Sequence, residues 1–177
     1  MSDEMRILTV RQPWAWAIIH GGKDVENRVR NIAGDYRGPI AIHAGLAKFE
    51  DDGQYREVTR SVVSELNGWP ADDGEMWGAD LLEPDDPRFI FGAIIGVVDL
   101  DGVHEGHNTE RSRMKSVQSC YRPMKPFGPC SSWALPDSWH LELANPRPLT
   151  EPIRFKGALG LRRLPADVID QIKEQLK

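Results

Sequence analysis

The stretch Phe89 to Leu100, "FIFGAIIGVVDL", carries a single charged side chain and is the most apolar run of the chain. It is well short of the ~20 residues that a membrane-crossing helix needs. Rich in Ile and Val, and bounded by "EPDDPR" on one side and "DG" on the other, it reads as the central and most buried strand. The other elements have to be arranged around it.

Those elements are short. "RILTV" (Arg6 to Val10) reads as a strand, and Pro13 suits the first turn of the helix that follows, where its missing N–H costs nothing. Gly21 and Gly22 stop that helix. "DVENRVRN" (Asp24 to Asn31) and "YRGPIAIHAG" (Tyr36 to Gly45) read as strands, the Gly-Pro of the second marking an edge or bulge. Tyr55, Val58, Val62 and Leu66 recur at helical spacing and predict a helix over Gln54 to Leu66. "WHLEL" (Trp139 to Leu143) and "IRFKGALGL" (Ile153 to Leu161) alternate as strands, and "PADVIDQIKEQL" closes the chain as a helix carrying Val168, Ile169, Ile172 and Leu176. Several short strands without regular β-α alternation predict an α+β fold, a small partly closed β-barrel flanked by helices. Such a barrel leaves a cleft at one side.

A length of 177 residues, 40% of them hydrophobic, predicts one domain over residues 1–177. Its outline is broken by an acidic surface excursion around residues 67–88 and a basic connection around residues 105–132. The first residues lack a secretory leader pattern, so a cytoplasmic protein without a membrane span is expected. Cys120 and Cys130 are too few to build a metal cluster by themselves and read as the thiol pair of a reducing compartment. His104 and His107, in "HEGH", read as loop histidines, because a zinc site needs further ligands and a supporting shell. Neither a metal nor a cofactor is expected.

The net charge of −5 argues against a protein that coats long nucleic acid by bulk electrostatics. Its distribution is uneven. Lys48 to Glu110 holds sixteen acidic and four basic residues, whereas Arg111 to Arg163 holds ten basic and three acidic. That is either ordinary alternation on a solvated surface or a basic face of Arg111, Arg113, Lys115, Arg122 and Lys125 beside a site that receives an anion.

The spacing Gly-x-Lys-x-x-Glu-x-Arg at Gly21, Lys23, Glu26 and Arg28 gathers a cation, a carboxylate and a guanidinium at one turn-to-strand junction. On a strand Glu26 and Arg28 share a face. A solvated face would make them an ordinary surface ion pair. A pocket face would divide their labour: Lys23 and Arg28 bind phosphate or a carbonyl, while Glu26 accepts a hydrogen bond from an exocyclic amine. Trp14 is a candidate for the same wall or for the core, and His43 is a candidate for the rim. Thr9 and Ser131 are candidate hydroxyls, and "PCSSW" places Cys130 and Trp133 either near the cleft or in the core.

At this motif a family resemblance emerges. "LTVRQPWAWAIIHGGKDVENR" resembles the opening signature of the ASCH domains of the PUA-like superfamily, with their Q-P-W helix start and G-x-K-x-x-E-x-R pattern. "YRGPIAIHAG" resembles the second strand of that family, and "WHLELANPRPLTEPIRFKGALGLRRLP" is similar to the C-terminal half of its longer members. The resemblance implies a PUA-like β-barrel whose cleft holds Lys23, Glu26 and Arg28, with Gly21 and Gly22 allowing close backbone approach. The ligand it implies is RNA, single-stranded nucleic acid or a modified nucleobase or nucleotide. It also implies an alternative, a hydrolase acting on RNA or on a modified nucleoside such as N4-acetylcytidine. In the amidohydrolase branch a Thr nucleophile stands three residues after the Lys, and here that position is Glu26, which does not supply the activated hydroxyl that acyl transfer needs.

Overall fold

The computed structural model describes residues 4–47, 87–106, 120, 130–131, 133–135 and 137–177. The first strand, β1 (Arg6–Val10), leads into a two-turn helix, α1 (Trp14–His20). Gln12 explains how so short a helix starts. Its buried side chain accepts the Trp16 N–H at 3.0 Å, a donor that the first helical turn leaves unpaired, and donates to the Ile90 carbonyl at 2.8 Å. At the other end Gly22 takes the left-handed conformation (φ +70°), and the Lys23 N–H returns to the Ala17 carbonyl at 3.1 Å. The double glycine thereby turns the chain out of α1 and into β2 (Val25–Arg28).

The strands β3 (Gly38–Ala44), β4 (Ala93–Glu105), β5 (Trp139–Arg154) and β6 (Leu161–Arg163) complete a curled, half-barrel sheet in the order β2-β5-β4-β3-β1-β6. β1 and β3 are parallel, and the other pairs are antiparallel. A second helix, α2 (Ala166–Gln175), follows β6. The expected α+β half-barrel with flanking helices is the observed architecture, and the apolar run lies at its centre as β4, buried continuously from Ala93 to Val98. No helix among the described residues is long and apolar enough to cross a membrane.

Each face of the sheet has its own core. Leu8, Val10, Ile40, Ile42, Ile95 and Val98 pack with Ile18 and Ile19 of α1, whereas Ile7, Ala41, Ile94 and Val97 pack with Val168, Ile169 and Ile172 of α2. The alternation expected of a strand breaks in β4 at Ile95. Ile94 faces α2, but Ile95 and Gly96 both face α1, because four β5 residues from Leu149 to Pro152 are set against Ile95 alone. Gly96 is required there: a Cβ would stand 2.6 Å from Ile19 Cδ1 and 2.9 Å from the Arg147 carbonyl oxygen.

The sequence reading differs from the structure most in one strand, while β2 is shorter than expected and β4 runs on through His104. "WHLEL" and "IRFKGALGL" are not two separate strands; β5 is continuous through "NPRP" and ends at Arg154. Asn145, at φ +50°, and a second bulge opposite Val98 absorb the prolines. Residues 155–160 then leave the sheet. The expected helix at Gln54 to Leu66 and the excursion from Asn67 to Asp86 lie outside the described residues.

Candidate functional site

β1, β2, the end of β3 and the segment after β5 enclose a cleft of about 1080 Å³. That is the size range of small-molecule and nucleotide pockets. Glu26 and Arg28 line it from β2, Thr9 from β1, His43 from β3 and Trp14 from the start of α1. Trp14 is half-buried and packs on the core beneath, so both readings of it hold together. The opposite wall is the stretch from Arg154 to Gly160, which sequence alone assigned to a strand.

The motif residues form a linear network. Lys23 Nζ stands 3.5 Å from one Glu26 oxygen and also donates to the Val25 carbonyl, while the Arg28 guanidinium stands 3.1 Å from the other Glu26 oxygen and donates to the Thr9 carbonyl at 3.0 Å. Lys23 is only 5% exposed, and it lies beneath Glu26 rather than on the cleft surface. Burial pushes its ammonium pKa down, against the attraction of Glu26. Gly21 and Gly22 do not line the cleft either. Their part is the turn that sends Lys23 inward. The arrangement holds one carboxylate at the cleft surface, oriented from both sides by cations.

His43 is 2% exposed, and its Nε2 lies 2.9 Å from the Phe155 carbonyl. A carbonyl can only accept, so Nε2 carries the proton and Nδ1 is left as an acceptor. That buried Nδ1 has no hydrogen-bond partner among the described residues. Gly157 keeps this side of the ring clear, since a Cβ there would come within 2.9 Å of Nδ1 and 3.0 Å of the Thr9 hydroxyl. Thr9 Oγ1 accepts the Ala158 N–H at 3.1 Å. Ser131 is spent elsewhere, donating to Asp24.

Burial lowers the pKa of both His43 and His20 from the ordinary 6.5. The unfolded chain therefore takes up protons near pH 6.5 that the folded chain refuses, so this contribution to stability is complete above that pH and is lost as pH falls toward the folded values. Urea midpoints measured between about pH 7.5 and about pH 5.5 should fall with acidification, and His43→Gln should make the fall shallower. An unchanged slope in that variant would remove His43 from the titration.

Several lining residues carry no local sequence signal. Arg11, Arg154 and Lys156 join Arg28, so four cations face one carboxylate, and Leu46 (77% exposed) and Leu159 (89% exposed) stand on the rim. They converge only through tertiary structure. Arg111 and Lys115 lie outside the described residues, as do Arg113, Arg122, Lys125 and His107. Trp133 does reach the motif: its ring centroid is 5.8 Å from Lys23 Nζ, and its carbonyl accepts from Asn27 at 2.8 Å. His104 is not a loop histidine placed by chance. It lies on β4 opposite His140 of β5, with both cysteines close by.

No protein-family model and no curated protein sequence matches the chain. Solved structures do. The crystal structure of ASCH from Zymomonas mobilis matches with a TM-score of 0.51 at 15% identity, covering 99% of this chain and 98% of that one. The chain has the ASCH fold. A single-substitution variant of the Zymomonas mobilis protein matches with a TM-score of 0.50, also at 15% identity, over 98% of this chain and 99% of the other. The ASCH fold thus accounts for the whole described sheet and both helices, and it agrees with what the "QPW" and "GGKDVENR" stretches imply.

Proposed function

We propose that the cleft of this ASCH fold receives one base or nucleotide of RNA or another single-stranded nucleic acid. The observation that carries this reading is the placement of Glu26, a carboxylate presented to a cleft whose other charged lining groups are all cations. A carboxylate and the free Nδ1 of His43 accept from the amine edge of a base. Trp14 and Phe155 offer aromatic surface for stacking, worth about 1–3 kcal/mol per base. Arg11, Arg28, Arg154 and Lys156 suit the phosphates, and Arg111 and Lys115 of the basic connection are assigned to the flanking ones.

Fluorescence anisotropy with short single strands across a salt series tests this. Replacing Arg11 and Lys156 by Ala should each reduce the slope of log affinity against log salt by about one unit or slightly less. Glu26→Gln should change the preferred base more than the affinity, because an amide donates as well as accepts. Unchanged binding in all three variants, with each shown to be folded by its thermal melt, overturns the assignment.

Hydrolysis of N4-acetylcytidine is not favoured. Glu26 occupies the position of the nucleophile, and no imidazole hydrogen-bonds the Thr9 hydroxyl among the described residues. Product formation should be no faster than with a Lys23→Ala control. A clearly faster rate would replace the binding reading with an enzymatic one.

A further inference from the structure

His104 and His140 are register partners on β4 and β5, and their rings meet edge to face with centroids 5.1 Å apart. Each ring has one nitrogen whose protonation is fixed by its surroundings. His140 Nε2 lies 2.7 Å from the Leu135 carbonyl and must carry the proton, which leaves Nδ1 as a lone pair. His104 Nδ1 lies 3.2 Å from the Glu142 carboxylate, which holds a proton there, so in the neutral ring Nε2 is the lone pair. These two lone-pair nitrogens face one another at 3.2 Å. Two acceptors at that distance repel unless something positive sits between them.

The two cysteines of the chain close around the same point. Cys130 Sγ is 3.4 Å and Cys120 Sγ 3.7 Å from His140 Nδ1, and the four donor atoms all lie within 4.8 Å of one another. In a tetrahedral zinc site with ordinary bond lengths, two nitrogens stand about 3.3 Å apart and a nitrogen and a sulfur about 3.6 Å apart. The three separations from His140 Nδ1, at 3.2, 3.4 and 3.7 Å, match.

We infer that His104 Nε2, His140 Nδ1, Cys120 Sγ and Cys130 Sγ form a closed, four-coordinate Zn2+ site. Each histidine already has the outer partner that metal-bound imidazoles need, a carboxylate for one and a carbonyl for the other. Two glycines make room for this arrangement. A Cβ at Gly106 would stand 2.1 Å from His140 Cε1, and one at Gly102 would stand 2.4 Å from Glu142 Oε2. With four protein ligands no coordination position stays open, so the ion is structural. Binding converts both thiols to thiolates and releases their two protons to solvent. Its effect is to tie the connection between β4 and β5 to the sheet, at Cys120 and at Cys130, next to the Ser131 and Trp133 that touch Asp24, Asn27 and Lys23.

The test is zinc content by mass spectrometry of full-length protein purified with a non-chelating reductant and dialysed against metal-free buffer. About one zinc per chain is expected, with Cys120→Ser, Cys130→Ser and His140→Ala each losing it and the control His20→Gln keeping it. Since those variants could fail to fold, wild-type protein stripped of metal and titrated with Co2+ gives a second readout. It should show the intense visible bands of tetrahedral cobalt together with thiolate charge transfer. Glu142→Gln should keep the spectrum but weaken zinc affinity about 10–100-fold. Wild-type protein that carries no zinc, and whose reduced form gives only the weak spectrum of octahedral cobalt, overturns the site.

Discussion

Glu26→Ala is expected to cost about 3–5 kcal/mol of folding stability, because it strands the buried Lys23 ammonium and unties Arg28 in one step. The loss comes from the charge left behind rather than from the pair itself. Lys23 is 5% exposed and, among the described residues, would keep only the Val25 carbonyl as a hydrogen-bond acceptor. Replacing both partners, Lys23→Met with Glu26→Leu, should therefore recover at least about half of the loss, since an apolar pair leaves no buried charge. Urea denaturation of the three proteins measures this directly. A single variant that loses less than about 1 kcal/mol would show that water reaches Lys23, and the network would then be a surface feature.

The second large effect is expected on the two sides of the β4 bulge. Ile94 is fully buried against α2, and Ile94→Ala should cost about 2–5 kcal/mol through lost contact and the cavity that remains. Gly96 fails for the opposite reason. Gly96→Ala adds volume where α1 already touches the sheet, with an expected cost of about 1–3 kcal/mol. Ile19→Val removes the Cδ1 atom nearest the new methyl, so the double variant should be more stable than the sum of the two changes predicts. Additivity within about 0.5 kcal/mol would mean that the Arg147 carbonyl, not Ile19, sets the limit.

What the sequence revealed, and what it concealed, follows from how far each signal reaches. "RILTV", "GPIAIHA" and the apolar run announce themselves by alternation or by uninterrupted burial, and "GG" ends α1 by local conformational preference. β5 hides its continuity because Pro146 and Pro148 cannot donate to a ladder, and the extra β5 residues set opposite Ile95 and Val98 let the strand pass through them. Lys23, Glu26 and Arg28 are close in sequence and do meet. Their depths are not legible: of these three residues, all expected to meet a ligand, Lys23 is the one that does not line the cleft. Arg11 and Lys156 line one cleft although far apart in the chain, and no periodicity marks such a meeting. The four metal-ligating side chains are spread from His104 to His140; the β4–β5 register joins the two histidines, and the cysteines come to them from the connection.

The pairing of β1 with both β3 and β6 sets the order in which the fold can be completed. Arg6 stands opposite Arg163, and the Leu164 N–H donates to the Met5 carbonyl, so contacts that complete one edge of the sheet join the first described residues to nearly the last. Such long-range closure raises contact order and slows folding. During synthesis β1 can meet β3 early, but its other edge stays unpaired until Leu161 to Leu164 have left the ribosome. The face of Ile7, Ile94 and Val97 waits longer still, because the helix that covers it follows β6 in the chain. The nascent chain is thus exposed to aggregation until β6 and α2 have left the ribosome.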